Sequence, residues 1–188
     1  VFSTGQVCHR VTDLGFQYFS PRTGKMKYGS TVYSRLLLCF ETMPICAVVE
    51  TGYGNIFACH GGISPSLQTL EQIEQIDRFV EPDMQGALCD ILWADPVDES
   101  DVHNMTEEEY KAFLEIDWRP NPMRGCSYCF GYKAIKEFLT ANDLLCMIRA
   151  HEVQELGFAR HFDPAALEAR IRNAHRQSRH SVSSHASH

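Results

Sequence analysis

Strand-like and helix-like segments alternate along this chain, and this alternation constrains its fold more than any other feature of the sequence. Residues 45–50 (ICAVVE) and 56–60 (IFACH) flank the glycine-containing stretch TGYGN, which predicts a β-hairpin. Residues 144–151 (LLCMIRAH) predict a further strand that ends in a histidine. A chain that alternates strands with helices is expected to form a layered α/β domain.

Several segments between these strands have the apolar spacing of amphipathic helices. In an acidic stretch, Thr106 and Glu109 form the capping-box pattern that opens a short helix through Leu114. Residues 87–96 (ALCDILWADP) have no helical period and predict a buried strand or irregular segment that stops at the proline. The other predicted helices cover residues 30–43, 66–76 and 132–139.

The amino-acid composition limits which partners this chain is expected to bind and in which cellular compartment it is expected to lie. The net charge of the 188-residue chain is −7, which argues against nucleic acid or an anionic membrane as its main partner. No apolar run approaches the roughly 18 residues of a membrane span. The first ten residues do not resemble a signal peptide, and the missing initial methionine suggests a fragment or a processed product. Most of the eight cysteines lie in apolar segments as buried thiols, so we expect a reduced, cytoplasmic protein.

Cys126 and Cys129 form the CxxC pair of this sequence. A zinc site would need a second pair of ligands, and Cys146 and His151 downstream are poorly spaced for one. We expect both cysteines to pack as ordinary thiols. A structural module held together by zinc is kept as an alternative.

Two histidines lie at the ends of predicted strands. His60 ends IFACH and precedes Gly61 and Gly62, and His151 ends LLCMIRAH. Ligand sites of open α/β sheets lie beyond the carboxyl ends of strands, so two imidazoles presented there could bind one metal ion. The glycines would let a metal-bound phosphate approach the main chain. The alternative is a tight turn after a strand and a histidine hydrogen-bonded to a backbone carbonyl.

Arg124 and Asp95 are candidates for the same site. The planar guanidinium of arginine matches two phosphate oxygens, and Arg124 directly precedes a glycine in MRGCSYCFG. Asp95 ends the hydrophobic segment ILWADP. Each residue alone is more typical of a surface or structural charge.

Five segments in this order resemble successive blocks of the PPP family of protein serine/threonine phosphatases, in particular the calcineurin catalytic subunit. They are FACHGGISP, DRFVEP, LCDILWADP, MRGCSYCFG and IRAHEVQELGF, within roughly residues 8–158. The resemblance implies the C-terminal part of a metallophosphoesterase β-sandwich flanked by helices, incomplete in this chain. It also implies hydrolysis of phosphoserine and phosphothreonine.

The resemblance assigns roles to the candidate residues. In the family, two metal ions, iron with zinc or manganese, hold a bridging hydroxide that attacks phosphorus in line. By matching position, His60 and His151 would be ligands of the second metal. Arg124 would clamp the phosphate, and Asp95 would line the same cleft. The implied partners are phosphoprotein substrates and, for the full-length protein, a calcineurin-B-like subunit and calmodulin, whose binding segments are absent here.

The start of the chain departs from the family pattern. The family's GDxHG and GDxVDRG blocks, which supply the first metal's ligands, have no counterpart in this sequence. Residues 3–7 (STGQV) stand where the family has RGNHE, so residues 1–7 are divergent. We therefore expect an inactive fragment of an active phosphatase, with a truncated pseudophosphatase acting as a protein-binding module as the alternative.

The end of the chain departs as well. After Gly157-Phe158 the family motifs stop, and Asp163-Pro164 supplies an N-cap and a first-turn proline for a new helix. We predict a partial phosphatase catalytic domain over residues 1–162. Residues 163–188 are predicted to be a helical extension followed by a disordered His/Ser-rich tail.

Overall fold

The computed structural model describes residues 21–154 and 157–162. The predictions for residues 1–7 and for the extension after residue 162 lie outside this part of the chain. The helices are α1 (Pro21–Thr42), α2 (Leu70–Glu74), α3 (Ala87–Trp93), α4 (Glu107–Leu114) and α5 (Tyr132–Ala141), with a 3₁₀ turn at Val102–Asn104. The strands are β1 (Cys46–Thr51), β2 (Gly54–Cys59), β3 (Asp95–Pro96), β4 (Trp118–Pro120), β5 (Tyr128–Phe130) and β6 (Leu144–Arg149).

The first sheet has the strand order β1-β2-β6. Strands β1 and β2 form the predicted antiparallel hairpin. Strand β6 pairs with β2 in parallel, with Cys59 opposite Arg149. Since parallel strands end at the same edge of a sheet, the residues that follow β2 and β6 meet there, and Ala150 N donates a 3.1 Å hydrogen bond to His60 O.

The second sheet has the order β3-β5-β4, with β3 parallel and β4 antiparallel to β5. Asp95 in β3 lies opposite Cys129 in β5. The connection between β4 and β5 is closed by hydrogen bonds from Asn121 N to Ser127 O and from Gly125 N to Asn121 O. This connection carries Arg124. Both sheets therefore contribute to the region where the predicted site residues lie.

Most of the predicted helices are confirmed. Helix α4 begins with the capping box of Thr106 and Glu109, and α5 buries an apolar face. Its Phe138 ring packs edge-on against Phe57 of β2, with ring centroids 5.2 Å apart. Helix α1 includes the predicted segment after a break at Gly29, whose φ is 78°. Within the described residues, no helix is long and apolar enough to cross a bilayer.

Two predicted elements are wrong in type or length. Residues 87–93 form helix α3 rather than a strand, and only Asp95–Pro96 are extended as β3. Leu88–Trp93 are all buried, Asp90 included, so the helix has no exposed polar face and the sequence shows no amphipathic period. Helix α2 begins only at Leu70, because the Gln72 side chain accepts hydrogen bonds from the preceding backbone N–H groups.

The cysteines in the described part of the chain are free thiols. Cys59 and Cys89 are buried as predicted, and burial raises the pKa of each thiol to about 12. Cys39 and Cys146 are exposed, although they lie in apolar segments. The prediction of burial was wrong for these two, because an apolar run does not show which face of a helix or strand is covered.

The two glycines after β2 pack against the protein itself. Gly61 N and Gly62 N both donate to Ile91 O of α3, at 2.9 and 3.2 Å. A Cβ atom on Gly61 would lie 2.6 Å from the carbonyl carbon of Leu92, and one on Gly62 would overlap the Phe130 ring. Close packing is thus a sufficient reason for these glycines, and access for a phosphate stays a prediction. Their side chains are missing because helix α3 and strand β5 occupy the space.

This packing predicts that Gly61→Ala destabilises the chain. Because the new methyl group meets backbone atoms that cannot rotate away, we expect a loss of about 2 kcal/mol in the free energy of unfolding, as for other overpacked sites. Urea unfolding monitored by circular dichroism measures it. Gly52→Ala is the matched control, since a Cβ there has nothing within 4 Å. Equal stability of both variants would contradict this account of the turn.

Candidate functional site

The structure brings His60 and His151 into direct contact at the ends of β2 and β6. His60 Nε2 and His151 Nδ1 lie 2.9 Å apart, and the ring centroids are separated by 4.7 Å. His60 is only 3% exposed. His151 has a φ of 62°, a conformation in which histidine is several-fold enriched among non-glycine residues. Because the chain turns here, His151, two positions after β6, contacts His60, which directly follows β2.

Both imidazoles are neutral at physiological pH. Burial lowers the pKa of His60 to about 3, and the adjacent His151 and two nearby guanidinium groups act in the same direction. Burial also lowers the pKa of His151 to about 4, with a further contribution from the charge of Arg124. The neutral imidazole is the form that binds metal ions.

Two neutral imidazoles that face each other have the donor chemistry of part of a metal site. In a tetrahedral site with metal–nitrogen bonds of about 2.0–2.1 Å, two ligand nitrogens lie roughly 3.4 Å apart. The 2.9 Å between His60 Nε2 and His151 Nδ1 is shorter by about 0.5 Å and is the length of a hydrogen bond between the rings, so the rings would move slightly apart to bind such a metal. In residues 21–154 and 157–162, no group of three or more His, Cys, Asp or Glu side chains is placed to hold a metal. The described residues therefore offer no complete ligand set.

Arg124 lies beside the histidine pair. Its Nη2 donates to the backbone oxygen of His151 at 3.3 Å. The same guanidinium forms a forked contact with Asp95, in which Nε donates to Oδ2 at 2.9 Å and Nη2 to Oδ1 at 3.4 Å. The Arg124 side chain remains 27% exposed, so a ligand at this surface can reach it.

Asp95 is buried behind Arg124 and is 7% exposed. Its carboxylate also accepts hydrogen bonds from Arg149 Nη2 at 2.6 Å and from Asn121 Nδ2 at 2.9 Å. Burial alone would raise the pKa of Asp95, but the hydrogen bonds from Arg124 and Asn121 and the charge of Arg149 outweigh it and hold the pKa below its usual range. The carboxylate is thus an ionised acceptor shared by two arginines.

The four predicted site residues form one cluster, and their roles remain predictions. Two further members, Asn121 and Arg149, were not predicted. Asn121 carries no motif that could have revealed it. Arg149 did carry a signal, because a charged residue inside an apolar strand is rarely buried unless it is paired.

Among the described residues, Cys126 and Cys129 belong to no group of three or more side chains that could hold a metal. The thiol of Cys126 is hydrogen-bonded to Cys89, and burial raises the pKa of both Cys126 and Cys129. Zinc requires thiolate ligands. Since the described residues also offer no cluster of three or more ligands, they give no support to a module held by zinc.

Three comparisons with known proteins identify the family of this chain. The model of the calcineurin-like phosphoesterase family matches residues 13–155. Two similar proteins from Saccharomyces cerevisiae (strain ATCC 204508 / S288c) are the serine/threonine-protein phosphatase 2B catalytic subunits A1 and A2. Subunit A1 is 42% identical over 132 residues, which cover 70% of this chain and 23% of the relative. Subunit A2 is 37% identical over 147 residues, which cover 70% and 24%.

A solved structure supports the fold. It is a protein serine/threonine phosphatase from Saccharomyces cerevisiae with similarity to human phosphatase PP5, and it superposes with a TM-score of 0.53 at 24% identity. The match covers 73% of this chain and 40% of that one. The chain thus spans about a quarter of the length of the curated relatives. The family match over residues 13–155 shows that this chain belongs to the calcineurin-like phosphoesterases.

Proposed function

We propose that this chain is the phosphate-clamping part of a calcineurin-like protein serine/threonine phosphatase. The observation that carries the proposal is the direct contact of the His60 and His151 rings beside Arg124, in a chain of this family. None of the similar proteins favours the alternative of a truncated pseudophosphatase that acts as a binding module.

In this proposal Arg124 binds the phosphoryl group of the substrate. A guanidinium binds phosphate through two parallel hydrogen bonds when its plane is held in one orientation. Asp95 supplies that orientation through its contacts with Nε and Nη2 of Arg124. Since the depressed pKa of Asp95 keeps its carboxylate ionised at neutral pH, Asp95 orients the arginine and does not donate a proton.

Membership of the metallophosphoesterases implies divalent metal ions, and we propose His60 and His151 as ligands of one of them. When bound, a metal pair activates a water nucleophile and stabilises charge on the phosphoryl oxygens. The neutral, buried imidazoles are in the form required of ligands. The other ligands are not found in the described residues, so in our proposal they come from elsewhere in the complete protein. Whether the metals are iron with zinc or manganese does not follow from two imidazoles.

The substrates and partners are proposed for the complete protein. We propose phosphoserine and phosphothreonine proteins as substrates. Two relatives are named as catalytic subunits, which supports an assembly with at least one other subunit. We propose that a calcineurin-B-like subunit and calmodulin fill this role. The free thiols support a reducing, cytoplasmic location.

One prediction concerns the phosphatase activity of the complete protein. The complete open reading frame that contains these residues is expected to hydrolyse a phosphoserine peptide when manganese is supplied. Arg124→Ala should lower kcat/KM roughly a hundredfold, because it removes a donor to the phosphoryl oxygens. Purified residues 1–188 should show negligible hydrolysis of an aryl phosphate, because their described part holds only a partial ligand set.

The control for this assay is Arg119→Ala, an exposed arginine on β4 that should leave the rate unchanged. An inactive complete protein that folds and binds manganese would overturn the proposal and favour the pseudophosphatase. Hydrolysis by residues 1–188 that manganese stimulates and His151→Ala abolishes would show that the chain needs no other ligands.

A second prediction tests the charge state of Asp95. Because the folded-state pKa is depressed, this carboxylate stabilises the fold above its unfolded pKa of about 3.9, and the stabilisation is lost as the pH falls through the folded value. Asp95→Asn should cost about 3 kcal/mol at pH 7, since it removes the buried carboxylate that Arg124 and Arg149 share. The stability difference from the wild type should narrow below roughly pH 4.

Urea unfolding at a series of pH values measures this effect. Asp83→Asn, at an exposed position, is the control and should follow the wild type throughout. A stability difference between Asp95→Asn and the wild type that stays constant down to pH 2 would show that Asp95 does not titrate as proposed.

A further inference from the structure

Arg149 is the one charged residue of the otherwise apolar strand β6 (LLCMIR). It is the last residue of β6, and its side chain is only 8% exposed. A guanidinium at such a position is costly unless its donors are paired. Neither the motif comparison nor the proposed phosphate clamp assigns this residue a task.

The donors of Arg149 reach three separate segments. Nε donates to Gly61 O at 2.5 Å, in the turn that follows His60. Nη2 donates to Ala94 O at 3.3 Å and to Asp95 Oδ1 at 2.6 Å, where α3 passes into β3. Nη1 contacts the carboxylate of Glu152. One side chain thus ties the histidine-bearing turn of the first sheet to the aspartate of the second.

The contact with Asp95 matters most because that carboxylate is shared. Its Oδ1 accepts a 2.6 Å hydrogen bond from Arg149 Nη2, while its Oδ2 accepts the Nε–H of Arg124. The terminal torsion of an aspartate has a broad energy profile, so a single partner does not fix the carboxylate plane. Asn121 and Arg124 Nε hold Oδ2, while Arg149 is the nearer donor to Oδ1, since Arg124 Nη2 lies 3.4 Å from that oxygen. Arg149 therefore helps to fix the carboxylate plane that Arg124 contacts.

We propose that Arg149 is a positioning residue that acts through Asp95 to hold the guanidinium of Arg124 in its phosphate-binding orientation. The proposal rests on the proposed role of Arg124 as the phosphate clamp. Lysine cannot replace Arg149, because only a planar fork reaches the carbonyl of Gly61 and the carboxylate of Asp95 at once.

The decisive measurement is the Nε–H proton of Arg124 in residues 1–188, observed by ¹H–¹⁵N NMR and assigned with Arg124→Lys. In the wild type this proton is hydrogen-bonded to Asp95 and should exchange slowly with water. In Arg149→Lys we expect exchange to be faster by roughly tenfold, the change that goes with weakening one charge-assisted hydrogen bond. Arg119→Lys, at an exposed position on β4, is the control and should match the wild type.

A second variant covers the case in which Arg149→Lys does not fold. Arg149→Met leaves Asp95 and Arg124 as a balanced pair and places no unmatched charge between the sheets. In this variant too, the Arg124 Nε–H proton should exchange with water faster than in the wild type. An unchanged exchange rate in either folded variant, with the backbone amide spectrum intact, would overturn the proposal.

Titration with inorganic phosphate separates positioning from general support of the fold. Arg149→Lys should weaken phosphate binding roughly tenfold in the wild-type background and should have no further effect in an Arg124→Ala background. Equal weakening in both backgrounds would show a purely structural role and overturn the proposal. If Arg124→Ala binds phosphate as well as the wild type, the clamp itself is wrong, and the Nε–H measurement still decides whether Arg149 orients Arg124.

Discussion

The parallel pairing of β2 with β6 is the constraint on which the rest of this site depends. The register sets Cys59 opposite Arg149, so the next residues of both strands leave the sheet at one edge. His60 and His151 meet there although 91 positions separate them. A register shift of one residue would turn every β6 side chain to the other face of the sheet and separate the rings. The contact between His60 and His151 therefore lasts only while β2 and β6 stay paired in this register.

Charge distribution explains why so many polar groups are tolerated here. Asp95 is ionised and shared by Arg124 and Arg149, while the imidazoles beside them are neutral. The guanidinium charges help to keep the imidazoles neutral and the carboxylate ionised, so one set of charges sets both protonation states. Such a network holds its members in place when every partner is satisfied, which suits a site that must orient a phosphate.

Helices α4 and α5 and the β1–β2 hairpin could be predicted because each carries its own local signal: a capping box, an amphipathic period, or a glycine-containing turn between apolar runs. Helix α3 could not. It is buried on all sides, so its apolar run looks the same as that of a buried strand. The glycines after His60 were recognised as important, but their reason lay in the backbone of α3, which passes close to them only in the folded chain.

The sequence by itself determined which groups are available: imidazoles at the ends of two strands, an arginine before a glycine, and the order of motifs that identifies the family. Tertiary structure alone decided what they contact. It placed Asp95 behind Arg124 as a shared acceptor and brought in Arg149 and Asn121 as its other partners. The physical reason is that these contacts join residues 26 to 54 positions apart, on elements of two different sheets. A local sequence pattern cannot show which distant residues will lie side by side in the folded chain.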